Sequence, residues 1–493
     1  MRRCASAAVA VVSLILTSCS AGPDESSATG IRWGTCDKVT DLSAPPVPAE
    51  RLARLTFTCG TVSLVADRTD PDAGRLTIQL IRATTSPRSA GPPPSLLLVP
   101  GGPGQSGVEN HAFLVGAMSD RLLARFDVVG FDPRGVHHSG QIHCEHDKAQ
   151  LGLPDLVSDS GYARAAAEIR TVTQECLDSL GTRASQFGTT SAAGDVDAIR
   201  QALGEEKLTY VGASYGAKLG AEYARLFPSH IRAGVLDAPT DPQTPWVTTT
   251  EHQIEGFEDS LDEFVAWCRK QSCPGLRDVR GFIAALMAKA DRSPIRSGRP
   301  SGDDPLVGTQ VLDAVVSAMY DPARWPDLAA GLLEADDGDS GTLWGLVEAS
   351  GGGPEASDEN DARFVINCTD SPPGPSEAEV RSAGARFRDR FPTLGVWGSW
   401  PLLGCSFWTA RHPLTPPEAK TAPPLVVVGT VHDPATPYAG AVSMAKVLGN
   451  GSSLVTWEGS GHTAFTRSPC VDALLDEYLL SLSLPADGTR CPA

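Results

Sequence analysis

Outside residues 5–16 the sequence has no sustained apolar run, and its mean hydropathy is −0.11. A protein that crosses a bilayer repeatedly needs about 20 apolar residues for each span, so that class is excluded. Positive charge is also scarce. The 41 Lys and Arg stand against 59 Asp and Glu, for a formal charge of −18. An acidic surface repels phosphates, which argues against nucleic acid as the partner and against electrostatic docking on anionic lipid. No repeat of fixed period runs along the chain, which sets aside a solenoid. What is present is 493 residues with 41% hydrophobic and 20% charged side chains, the proportions of a protein with a large core.

Arg2 and Arg3 precede the short apolar stretch, and segment 1–18 reads as a secretory signal. It ends Leu16-Thr17-Ser18-Cys19, which resembles the lipobox of bacterial lipoproteins. That resemblance implies an acylated Cys19 as the first mature residue, membrane contact only through this anchor, and a flexible tether over 19–30. The alternative is an ordinary cleaved signal with an incidental Cys19. Of twelve cysteines, removing Cys4 and Cys19 leaves ten, an even number in an exported chain, so five disulfides are expected. Neighbourhood suggests Cys36 with Cys59, Cys144 with Cys176, Cys268 with Cys273, Cys368 with Cys405 and Cys470 with Cys491. Sequence alone does not fix that connectivity.

Short apolar runs bounded by turn residues predict strands at 76–81, 96–99, 128–131, 208–211, 234–236, 425–428 and 453–457. Helical patterns lie between them, for example at 191–203 and 217–227, the second ending before Pro228. Strand–helix alternation predicts an α/β fold, a mostly parallel central sheet with helices on both faces. The alternation breaks over 241–416, where helices are predicted at 254–267, 281–290, 309–319, 328–335 and 377–391. This stretch reads as a large helical cap inserted over the sheet's carboxyl edge. It divides the core into 31–240 and 417–493.

Gly212-Ala213-Ser214-Tyr215-Gly216 fits the pattern G-x-S-x-G between a predicted strand and helix. Such a turn lifts a serine hydroxyl clear of the chain, and the helix start beneath it favours developing negative charge. Pro100-Gly101-Gly102-Pro103-Gly104 follows an earlier strand and brings backbone amides close to a substrate carbonyl. The amides of Gly102 and Tyr215 are the expected oxyanion donors. A serine needs a base oriented by a carboxylate, in the chain order Ser, acid, His. His462, in a loop after the last predicted strand, is the candidate base; His230, His252, His412 and His432 sit less suitably. Asp433 is the candidate acid. Its rival is Asp237, which is otherwise expected to hold the loop leading into the insertion. His432 is expected to face away as a solvated loop residue.

His137, His138, His143, Cys144, Glu145, His146 and Asp147 have the ligand types for zinc, but their spacing matches no compact metal motif. They are expected to be an exposed loop with Cys144 in a disulfide. Trp397, Trp400, Phe407 and Trp408 are expected in the core of the insertion, with a substrate channel as the alternative.

Taken together, the residues resemble the tripeptidyl-aminopeptidase branch of the proline-iminopeptidase-like serine peptidases, which are α/β-hydrolases. The likeness runs from Trp33 and Cys36 to Cys491. It is densest at 100–107, at Phe131-Asp132-Pro133-Arg134-Gly135 and at 189–239, and resumes at 433–437 and Gly461-His462. It implies an exported exopeptidase that removes short peptides, often tripeptides, from free N-termini and needs no cofactor. Pro100 stands where proline iminopeptidases carry His, which favours the tripeptidyl branch; Ala217 stands where many relatives have Thr. Glu251, Glu255 and Glu258 are candidates for holding a substrate ammonium group, or else form a solvated acidic helix face. A carboxylesterase or lipase using the same triad is the competing reading. A lipid-anchored binding protein on a retired hydrolase scaffold is a third.

Overall fold

Among the described residues ten strands form one sheet: β1 (Arg32–Gly34), β2 (Leu55–Val65), β3 (Arg75–Thr85), β4 (Ser95–Val99), β5 (Asp127–Phe131), β6 (Leu208–Ala213), β7 (Ile231–Asp237), β8 (Val426–His432), β9 (Ser453–Ser460) and β10 (Thr489–Cys491). The computed structural model describes residues 30–493 apart from 38, 41, 43–46, 86–92, 145–157, 272, 274, 297–304, 350–356 and 373. Segment 1–18, Cys19, the tether up to residue 29 and Glu145, His146 and Asp147 lie outside the described residues.

The strand order is β1-β2-β3-β5-β4-β6-β7-β8-β9-β10. The pairs β1–β2, β2–β3 and β3–β5 are antiparallel, and all later pairs are parallel. From β4 the chain turns back to β5, then crosses to β6 on the other side of β4. Ligand crevices in such sheets open at the carboxyl ends of strands where the order reverses. The loops after β4 and β6 meet there.

Alternation along the central strands explains the two layers. Leu97, Val99, Val129 and Val427 point to one apolar core with Val196, Ile199, Leu219 and Tyr223 of the flanking helices. Leu96, Leu98, Val128, Val426 and Val428 point the other way, to Val115, Leu122, Val471 and Leu475. Strands covered on both faces read as continuous apolar runs, which is why β4 and β5 were visible in the sequence.

Between β7 and β8 the described residues contain eight α-helices: Trp246–Gln271, Val279–Arg292, Gly308–Met319, Trp325–Asp336, Gly341–Ala349, Ser357–Asp370, Glu377–Arg390 and Gly395–Phe407. They share a separate core. Ile254, Phe257, Leu261, Phe264 and Cys268 recur at three- and four-residue steps along one helix face and pack on Leu312, Val315, Leu328 and Phe387. The amino-terminal half of helix Asp159–Leu180, which the sequence reading did not find, contributes Tyr162 and Ile169 to that same core. All five disulfides inferred from neighbourhood are formed. No described helix is long and apolar enough to cross a membrane.

Candidate active site

Ser214 sits between β6 and helix Tyr215–Leu226 with φ +56 and ψ −116, a conformation that L-residues seldom adopt. Its N–H donates to the Asp237 carbonyl at 2.8 Å. The turn is possible because its flanks are glycines. A Cβ on Gly216 would lie 2.3 Å from the Val99 carbonyl oxygen, and one on Gly212 equally close to the Gly216 oxygen. Gly216 is fixed by the Tyr210 hydroxyl, which donates to its carbonyl at 2.7 Å.

The strap after β4 runs over the serine. A Cβ on Gly101 would come within 3.0 Å of Ser214 Cβ and 3.3 Å of its Oγ. Gly102 follows at φ +107. Tyr215 begins the helix, so its N–H has no intrahelical partner and lies at the positive end of the helix dipole. The Tyr215 ring is buried, and its hydroxyl lies 3.1 Å from Thr189 Oγ1. Thr189 in turn is gripped by Asp370, which accepts from its N–H at 2.8 Å and its hydroxyl at 2.6 Å, and from Lys218 at 2.7 Å.

Asp433 follows β8 and is buried. Its two oxygens lie 2.9 and 3.0 Å from His462 Nδ1, and Oδ1 also accepts the N–H groups of Ala435 and Thr436 at 2.9 Å. Such a carboxylate fixes the ring orientation and leaves Nε2 unprotonated in the neutral imidazole. The ring is also packed edge-on against Tyr320, with centroids 5.4 Å apart, and the His462 N–H donates to the Tyr320 carbonyl at 2.9 Å. Tyr320 comes from the helical insertion and carried no signal in the sequence. No hydrogen bond joins the Ser214 hydroxyl to His462; in unliganded hydrolases this contact is often long and tightens with substrate.

Asp237 takes a different part from the one expected. It holds not the start of the insertion but the loop beyond His462, accepting from Ala464 at 3.0 Å and from Phe465 at 2.8 Å. The reason is its place at the end of β7, between the strands that carry Ser214 and Asp433. Burial raises its carboxyl to about 6, and the two amide hydrogen bonds act against that shift.

His432 departs from expectation in part. It is exposed, yet its Nδ1 pairs with Glu263 of the insertion at 3.1 Å. A cavity of about 280 Å³ beside it is lined by His252, Glu255, Asp259 and Asp433, but not by Ser214 or His462. The three glutamates considered for a substrate amine are engaged within the insertion. Glu251 pairs with Arg386 and Arg390, and Glu255 with Arg390. Glu258 is buried, pairs with Arg280 and accepts the N–H groups of Thr393 and Leu394.

In the histidine-rich segment Cys144 is disulfide-bonded to Cys176, His137 faces Glu359 at 3.6 Å and His138 faces Glu109 at 3.3 Å. Trp397 donates to Asp313 at 3.1 Å, Arg170 lies over the Phe407 ring at 4.3 Å, and Trp408 is buried against Phe364. The Arg134 guanidinium is buried and forks onto Asp195 with two contacts of 2.7 Å, which gives the Asp132–Arg134 motif a structural role.

A mostly parallel sheet with a serine on a strained strand-to-helix turn, and an Asp–His pair on the loops after later strands, is the architecture of an α/β-hydrolase-fold serine hydrolase. Residues 94–277 match the alpha/beta hydrolase fold family, and residues 392–491 match the family described as TAP-like protein. The chain is 35% identical to serine protease Hip1 of Mycobacterium tuberculosis, over 88% of this chain and 87% of that one. It is 34% identical to carboxylesterase B of the same species, over 88% and 86%. It is 28% identical to tripeptidyl aminopeptidase of Streptomyces coelicolor, over 94% and 86%. The chain belongs to the TAP-like branch of the α/β-hydrolase family.

Proposed function

We propose that the chain is an exported serine exopeptidase that releases short peptides, tripeptides among them, from free N-termini through an acyl-enzyme. Ser214 attacks the scissile carbonyl, His462 takes the hydroxyl proton and passes it to the leaving amine, and Asp433 orients the imidazole. The Gly102 and Tyr215 amides receive the oxyanion. Water then releases the acyl group by the reverse sequence. The observation that carries this reading is the double contact of His462 Nδ1 with Asp433, on a loop that Asp237 ties to the strained Ser214 turn.

The relatives named serine protease and tripeptidyl aminopeptidase support a peptide substrate. Five disulfides support an oxidising, extracytoplasmic setting, in keeping with a signal over 1–18 and a lipid anchor at Cys19. In this reading 31–240 and 417–493 form the catalytic core, and 241–416 is a cap that restricts access to chain ends. The carboxylesterase B relative favours a second reading, ester hydrolysis by the same residues.

Purified protein offered unblocked tripeptide amides, their N-acetylated forms and simple acyl esters separates the two. Release of tripeptide from the unblocked substrates alone is expected. Rapid ester turnover with no peptide release overturns the peptidase reading. A fluorophosphonate is expected to label the protein but not Ser214→Ala, and failure to label folded protein overturns the hydrolase mechanism.

A further inference from the structure

Helix Ser357–Asp370 lies directly on the glycine strap. A Cβ on Gly104 would fall 2.5 Å from the Glu359 carbonyl oxygen and 3.3 Å from the Arg363 amide nitrogen. The backbone of Arg363 therefore rests against the segment that covers Ser214. Its guanidinium has no hydrogen-bond or ion-pair partner among the described residues, and its Nε is buried.

The groups it faces define where that charge sits. Burial raises the carboxyl of Asp313 to about 6 and also raises the Tyr320 phenol; in both, the Arg363 charge acts in the opposite direction. Asp313 does not pair with Arg363 and instead accepts the Trp397 indole N–H. Tyr320 is the residue packed edge-on against His462. Arg363 thus rises from a helix turn packed on the strap, and its charge is felt by Tyr320, the residue that walls the His462 ring.

Arg363 is only partly exposed, and its Nε is shut off from water with no partner, which is costly for a group of that polarity. Its planar fork matches a carboxylate through two parallel hydrogen bonds. Asp313 in the same space offsets a positive charge, so the site suits a monoanion better than a phosphate dianion.

We propose that Arg363 is an anion-binding subsite over the reaction centre, receiving a carboxylate of the substrate. On the peptidase reading, on which this rests, the carboxylate is an acidic side chain next to the scissile bond or the terminal carboxylate of a short leaving peptide.

The test compares matched substrates within each enzyme form. One arm pairs peptides with Glu or Gln on either side of the cleaved bond. The second pairs free-acid and amide C-termini of the same short peptide. A third pairs aryl esters of succinate and of its methyl ester, so the charge question is answered even if peptides are not cleaved. Wild type is expected to favour the anionic member in at least one arm by tenfold or more, through KM, and the arm that responds identifies the source of the carboxylate. Arg363→Met should bring that ratio near one, and Arg363→Lys should retain part of it. Inhibition of the wild type by short peptide acids against their amides gives the same comparison without any variant. Equal treatment of acid and neutral partners in every arm overturns the proposal, as does a preference that survives in folded Arg363→Met. Loss of peptide cleavage with preserved ester discrimination overturns the peptidase reading alone.

Discussion

Asp237 joins the two halves of the candidate site: its carbonyl accepts the Ser214 N–H at 2.8 Å, and its carboxylate accepts Phe465 N–H at 2.8 Å, three residues beyond His462. The turn that carries Ser214 and the loop that carries His462 are thus tied to a single buried residue at the end of β7.

That residue gives a pH signature in stability. Below about 3.8 its carboxyl is protonated in both folded and unfolded chains, whereas between there and about 6 only the unfolded chain has lost the proton. Stability therefore falls as pH rises through this window, by about 3 kcal/mol in full. Asp237→Asn removes the effect. Urea unfolding of both proteins from pH 4 to 7 should show the variant gaining on the wild type as pH rises; parallel curves would contradict this.

Asp433→Asn keeps the volume of the side chain but can present an N–H to His462 Nδ1, which disfavours the required tautomer. By analogy with other Ser–His–Asp enzymes the loss in kcat is on the order of 10⁴. Thermal unfolding measured alongside should change little. A variant with near-normal kcat would remove Asp433 from the mechanism.

Arg134→Met leaves Asp195, whose side chain is 0% exposed, with Arg68 as its ion-pair partner, itself 39% exposed. Breaking a buried pair from one side costs about 3–5 kcal/mol. Denaturant unfolding should show a loss of that order, and a loss below about 1 kcal/mol would mean that Arg68 and nearby water compensate.

The Cys470–Cys491 bond spans 21 residues and holds β10 alongside β9. Replacing both cysteines by serine should cost about 2–4 kcal/mol, because the unfolded chain regains its freedom. Urea titration under oxidising conditions measures it, and equal midpoints would show that the strand pairing alone suffices.

Much of the fold was legible because buried parallel strands announce themselves. The runs at 96–99 and 128–131 became β4 and β5 with little change in their bounds. β2 was missed for the opposite reason. Its sequence, Leu-Thr-Phe-Thr-Cys-Gly-Thr-Val-Ser-Leu-Val, alternates small polar and apolar residues on a strand covered only in part. β10 is three residues long, and neighbours distant in sequence hold it in place. Local patterns pointed to Ser214, Asp433 and His462 as candidates, and the structure pairs the last two. Tyr320, Asp370 and Arg363 had no such pattern, because their meaning comes from where the insertion folds back. Asp237 was visible, but its partners Ala464 and Phe465 are over 220 residues away.

Helix Ser357–Asp370 is pinned at both ends to the candidate site: near its start to the glycine strap at Gly104, and at its end through Asp370 to Thr189 and Lys218 beside the Ser214 turn. Lifting this helix would loosen the strap at Gly104 and the Thr189 and Lys218 contacts of Asp370 together. On the proposed mechanism, the place of the insertion and the alignment of the amides that await the oxyanion are therefore not independent.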